Sequence, residues 1–295
     1  MENLKKINKL YSCLLAALLF GCQLCFAQVG FQPGIELVNH GNYKEALSYF
    51  EENQTNNKEN PDYLYYHAIS QYRNDMAKES IKTIERAIKK VPNNADYQFA
   101  LSTFYLLRIG EVSVVRQPFM VDNVLDPLKK AAELDPSHIP ANAFYTGWLL
   151  NAPGVAGGDV DKGKARLPEL EKLNKSAWFS LRAGLANKEE RFDEAESLYL
   201  DAIKENGNSA SAQISLANFY LEQKQYEKAI EHARLFLSLK RSWSEAGDAR
   251  GHSIIAQALH HLGDSENSKK EVSLALTTCW NKVEREELEK MLKKL

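Results

Sequence analysis

Residues able to do chemistry are few in this sequence, and they are scattered. His252, His260 and His261 form its single histidine cluster, of the side chain that most often ligates metal or carries a proton near neutral pH. His252 and His260 are eight residues apart and share one broad face of a helix, but no acidic third ligand stands in register with them. A surface or core role is therefore expected, with an enzyme site, dispersed and metal-dependent, in the C-terminal part of the chain as the alternative. The sequence contains no His-Glu-x-x-His and no Gly-x-Ser-x-Gly, so the usual signatures of metal-assisted and serine hydrolysis are absent.

The stretch Asn151-Ala152-Pro153-Gly154-Val155-Ala156-Gly157-Gly158-Asp159 is the other candidate. A glycine-rich loop before a helix can cradle phosphate on its amides, yet this one follows a helix and lacks the Gly-Lys-Ser/Thr ending. Asp159 and Asp161 stand where a calcium loop has its first two ligands. Gly163 then replaces the third, and Leu170 occupies the twelfth position, where Glu is needed. The expected role is a shaped turn with Asp159 or Asp161 capping the next helix, and Pro168 should kink that helix or mark its true start.

The elements around these residues follow a repeat. Between residues 176 and 236 one helical hairpin is written twice, thirty-four residues apart: Ala183 recurs as Ala217, Phe192 as Tyr226, Asp193 as Glu227, Ala195 as Ala229 and Ile203 as Leu237. A hairpin of this size cannot bury its apolar face alone, so such a period marks a stacked array in which neighbours cover one another. Earlier units show the same punctuation. Gly41 ends one helix before the stripe of Tyr43, Leu47 and Phe50, and Pro61-Asp62 opens a helix whose partner carries Ser80 and Ala87 before Pro92 stops it. The third unit begins at Ala95 and is broken by an apolar insertion, Glu111 to Met120, containing Val112, Val114, Val115 and Phe119. This insertion should pack as a cap over its hairpin, because exposed Val and Phe together are an aggregation liability, with a lid that reaches the binding surface as the alternative. After Leu239 a short polar connection, Lys240 to Glu245, adds about five residues to the period.

The chain has 295 residues, 44% of them hydrophobic and 26% charged, with a formal net charge of -2, which gives no electrostatic basis for binding nucleic acid. Residues 1–27 have the layout of a secretory signal: Lys5, Lys6 and Lys9 precede an apolar run from Leu10 to Phe20, and Cys25-Phe26-Ala27 forms a small-residue end. Cleavage before Gln28 is expected. The run is shorter than the roughly 20 apolar residues of a spanning helix. Leu19-Phe20-Gly21-Cys22 resembles the lipobox of bacterial lipoproteins, which makes lipidation of Cys22 the alternative. Cys13, Cys22 and Cys25 all lie in this leader. Cys279, flanked by Thr278 and Trp280, is then the remaining cysteine, expected to be buried and inert.

The repeat resembles the tetratricopeptide repeat: a first helix with a small residue near its middle, a Gly-x-Tyr turn, and a second helix with two small residues seven apart. The resemblance spans residues 28–282, with insertions near 110–121 and 151–160. It implies an all-α, right-handed superhelical solenoid of about seven antiparallel helix pairs, followed by a capping helix at 283–295. The Pro-Gly-x-Ala-Gly-Gly run also resembles one found in exported bacterial repeat proteins.

By that family's geometry the first helices line a concave groove. Its residues here would be Tyr65, Ile69, Tyr72 and Arg73, then Phe99, Thr103 and Leu106, then Gly147, Gly184 and Asn187, and last Asn218 and Leu221. The family's known peptide mode holds a terminal carboxylate with Lys, Asn and Arg; Tyr65, Ile69 and Phe99 occupy such positions here, so that clamp is not expected. The resemblance implies a non-enzymatic scaffold or adaptor for a peptide or protein client, with no cofactor and no metal. With the leader, it points to the periplasm, or to the outer membrane through a lipid on Cys22.

Overall fold

The computed structural model describes residues 30–207 and 209–294; the expected leader, the cleavage point at Ala27 and Cys22 lie outside the described residues. The described chain is helical throughout, with no strand, and its helices follow one another in seven antiparallel pairs. The first is α1 (Gln32–Asn39) with α2 (Tyr43–Glu52), followed by the single turn α3 (Gln54–Asn57). Next come α4 (Pro61–Tyr72) with α5 (Ala77–Lys90), α6 (Ala95–Gly110) with α7 (Val121–Leu134), and α8 (Ile139–Asn151) with α9 (Val160–Leu173). The last three are α10 (Lys175–Lys188) with α11 (Phe192–Glu205), α12 (Ala210–Glu222) with α13 (Tyr226–Ser238), and α14 (Asp248–His261) with α15 (Ser265–Thr278). The helix α16 (Lys282–Leu292) closes the array, burying Leu288 and leaving its charged face to water.

The two kinds of helix start differently, and the sequence explains why. Five first helices carry a side-chain cap: Asn60, Asn94, His138, Asn174 and Ser209 accept amide hydrogens from the opening turns of α4, α6, α8, α10 and α12. The second helices α2, α5, α11, α13 and α15 instead follow a left-handed residue two positions ahead: Gly41, Asp75, Glu190, Lys224 and Gly263. At each of these turns the amide one residue further on returns to a carbonyl five residues back, as from Asn42 to Leu37 and from Gln225 to Tyr220. The first helix is thereby ended and the chain reversed in a few residues. Close approach of the paired helices rests on fully buried alanines, among them Ala68 and Ala87, Ala183 and Ala195, Ala217 and Ala229, and Ala256 and Ala275.

Two expectations are corrected. The insertion forms a 3-10 helix, Val114–Met120, and does not pack as a cap: Val115 is 79% exposed and Phe119 85%. Val115 and Phe119 stand out to solvent because α7 turns its buried side, Val124, Leu125 and Leu128, to α6 and α8. For Pro168 the second alternative falls and the first stands open: it lies inside α9, which begins at Val160 behind the cap of Asp159 on the Lys162 amide. The glycines belong to the turn itself. A Cβ on Gly158 would stand 1.8 Å from the Ala152 carbonyl oxygen, and the Trp148 indole nitrogen donates to the Ala156 carbonyl at 2.8 Å to fold the loop over its own helix.

Successive first helices pack on one another along the array, α1 on α4, α4 on α6, α8 on α10, α10 on α12 and α12 on α14, more closely than successive second helices do. The first helices therefore lie on the inside of the curve, which is the side on which a groove forms.

Candidate binding groove

On that inner side, α4 and α6 present Tyr65, Tyr72, Phe99 and Phe104 at helical spacing. These rings meet one from far along the chain. The indole of Trp243, in the connection between α13 and α14, lies 6.5 Å from Tyr65, 6.0 Å from Tyr72, 6.0 Å from Phe99 and 5.9 Å from Phe104, centroid to centroid. Trp280, in the connection between α15 and α16, adds a contact at 4.8 Å to Tyr72. Offset and edge-on ring pairs of this kind are worth about 0.5–1.5 kcal/mol each beyond the area they bury. The N-terminal half of the groove is thus filled by the protein's own C-terminal connections, and the array closes on itself.

Arg73 at the end of α4 locks the closure. Its guanidinium lies between the Tyr43 ring, at 4.5 Å, and the Trp280 ring, at 4.7 Å. From there Nη1 donates to the main-chain carbonyls of Trp243 at 3.2 Å and Glu245 at 3.4 Å. Burial depresses the acidity of the surrounding phenols: Tyr72 is pushed up to about 12, and Tyr65 rises for the same reason. The same burial lowers the Arg73 pKa, since desolvation disfavours its charge.

The other expected groove residues divide. Ile69 and Thr103 are buried in the helix contacts rather than lining the groove; the Thr103 hydroxyl donates back to the Phe99 carbonyl at 3.0 Å. They fall on the seam between first helices, where an inward-projecting position meets a neighbour instead of solvent. Leu106 is exposed. Gly147 faces Leu181 and Gly184 faces the Tyr199 hydroxyl, each at a helix contact. Asn187, Asn218 and Leu221 lie on α10 and α12. There the Asn187 amide donates to Glu222 at 3.0 Å, and Arg250 of α14 donates to the Asn218 carbonyl oxygen at 2.5 Å. Leu221 is half-buried against the core of these pairs.

Trp243, Trp280 and Phe104 escaped the reading of the sequence, although a Trp inside the polar connection Lys240–Glu245 is a visible signal. The histidines separate: His252 Nδ1 lies 2.7 Å from Glu271 Oε2 across α14 and α15, while His261 stacks on Tyr226 with ring centroids 4.9 Å apart. The acidic neighbour of His252 thus comes from the next helix. Among the described residues no cluster of three His, Cys, Asp or Glu is placed to hold a metal. Cys279 is buried, and that burial pushes its thiol up to about 11.

Comparison with known proteins agrees with this geometry. Tetratricopeptide-repeat family models match residues 62–94 and 186–236, which are α4–α5 and the core of pairs five and six. Among curated proteins none matches the sequence. A tetratricopeptide-repeat protein from Parabacteroides merdae is 14% identical, with a TM-score of 0.58, over 90% of this chain and 97% of that one. A thermophilic one from Thermus thermophilus is 22% identical, with a TM-score of 0.55, over 66% of this chain and 99% of that one. Human IFIT1, in a structure with PPP-AAAA, is 16% identical, with a TM-score of 0.55, over 85% of this chain and 60% of that one. Identities this low speak for fold alone. The chain thus carries tetratricopeptide repeats at residues 62–94 and 186–236, set in an array of stacked helix pairs with the fold of tetratricopeptide-repeat proteins.

Proposed function

We propose that the chain is a non-enzymatic scaffold of the bacterial cell envelope that takes a peptide or protein segment on its concave face. The repeats themselves support a protein-interaction role. One observation carries the finer reading: the inner face already receives an irregular segment, Leu239–Gly247, by seating its Trp243 among four aromatic rings and binding its carbonyls through Arg73. Aromatic anchors with an arginine are the residue types that dominate binding at protein interfaces. A client would use the part of the face that this segment leaves open, along α10, α12 and α14. There the amides of Asn187 and Asn218, now paired with Glu222 and Arg250, would exchange those partners for a client's main chain, and Leu221 offers apolar area.

The leader at residues 1–27 supports export, with cleavage after Ala27 giving a periplasmic protein; a lipid on Cys22 would tie it to the outer membrane instead. The test is a photoreactive residue in place of Leu221, with cells fractionated after illumination. The reading expects an adduct with a defined client in the envelope fraction, lost when Asn187 and Asn218 are both changed to Ala. Adducts that survive both changes, or that arise in the cytoplasmic fraction, would overturn it.

A further inference from the structure

Beside the closure lies a cavity of about 420 Å³ whose walls come from both ends of the array: the turn after α1, the end of α4, the connection Leu239–Asp248 and the connection after α15. Its charge is one-sided. His40, Arg73, Lys240 and Arg241 line it, with Asp248 as the single carboxylate. Arg241 pairs with Asp248 through Nη2 and donates from Nη1 to the carbonyls of Phe236 and Leu239. The Glu245 carboxylate accepts from the Ser242 amide at 2.7 Å and is the second negative charge near this wall. Among the described residues Arg73 forms no ion pair. Nη1 is satisfied by two carbonyls, while Nε is buried with no acceptor and Nη2 makes no hydrogen bond to a described residue. Its ring neighbours Tyr43 and Trp280 hold the plane fixed.

A largely buried guanidinium that forms no ion pair is costly, and Nη2, which is neither fully buried nor hydrogen-bonded to a described residue, is the donor it can offer to an anion. We propose that this cavity binds a small molecule through an oxyanion group, phosphate or carboxylate, and that the bound anion holds the array closed. Arg73 would supply a fixed donor at Nη2, Lys240 the mobile charge, and the Ser242 hydroxyl a further donor. Because the walls belong to opposite ends of the chain, only the closed form assembles the site. An anion that binds there shifts the balance towards closure by its differential affinity for the two forms.

The experiment uses the chain from Gln28 onward, with inorganic phosphate and with malonate as probes, each against sodium chloride at matched ionic strength. Amide exchange of Leu239–Gly247 is followed with the thermal midpoint. At ten times its dissociation constant the effective anion should slow exchange of that segment about tenfold and raise the midpoint. A response to phosphate alone assigns a phosphate group, and a response to malonate alone a carboxylate. Lys240→Gln, at an exposed residue with no ion pair among the described residues, should weaken the response several-fold while leaving the anion-free midpoint in place. Phosphate and malonate acting no better than chloride, or Lys240→Gln responding as the parent does, would overturn the proposal.

Discussion

Replacing Trp243 with Ala isolates the energy of closure. The side chain is half-buried and meets four rings at 5.9 to 6.5 Å. Truncating a buried Phe or Trp to Ala costs about 3–5 kcal/mol; a half-buried Trp with four ring contacts belongs at the lower end, near about 3 kcal/mol. The Arg73 bonds run to main-chain carbonyls, so the substitution removes the packing and leaves those acceptors in place. In a stacked array stability is a sum of nearest-neighbour terms, and this contact is an added term that joins distant units. Its loss should therefore fall on particular elements. Urea unfolding followed by circular dichroism gives the total, and native-state hydrogen exchange gives the distribution. Amides in α4 and α6 should lose protection, while those in α11, remote from the closure, should keep theirs. Trp243→Phe should recover part of the loss. An Ala variant within about 0.5 kcal/mol of the parent, the range of ordinary surface changes, with α4 and α6 protected as before, would refute the energetic role of the closure.

Other expectations follow from single residues. Lys224 has a φ of 59° in the turn before α13, so Lys224→Gly should raise stability by about 1 kcal/mol in urea unfolding. Gly158→Ala places a methyl 1.8 Å from the Ala152 oxygen and should cost about 2 kcal/mol or more, seen as a lowered thermal midpoint. His67 is buried against Phe50 with neither ring nitrogen hydrogen-bonded, and burial lowers its pKa from 6.5 to about 4. The unfolded chain takes up that proton first, so stability should fall by up to about 3 kcal/mol as the pH drops from 6.5 to about 4; His67→Phe should flatten this limb in unfolding titrations. The Cys279 thiol, held up to about 11, should resist a disulfide reagent at about pH 8 until denaturant is added.

The helical pairs were legible because their signals are local. Pro61 opens a helix, Asp159 sits at a capping position, small residues seven apart mark close packing, and Gly41 marks a left-handed turn. The same turn at Glu190 and Lys224 gives no such signal, since nothing in those residue types asks for a positive φ, and Asp75 gives only a weak one. The aromatic positions of α4 and α6 were legible as a set, and their meeting with Trp243 was not. Arg73 and Trp243 are 170 residues apart, and their meeting depends on the accumulated curvature of the intervening pairs rather than on any period. The seam positions Ile69 and Thr103 were misplaced for a related reason. Which inward residues reach the groove and which meet a neighbouring helix is set by small rotations between units, and no repeat period encodes those.

The closure itself is most directly tested by nuclear Overhauser contacts in protein with labelled Trp and Phe rings. Cross-peaks between the ring protons of Trp243 and those of Phe99 and Phe104 are predicted, and they should vanish in Trp243→Ala. A Trp243 ring with solvent-like shifts and no contact to either phenylalanine would contradict an array that folds its own connection into its groove.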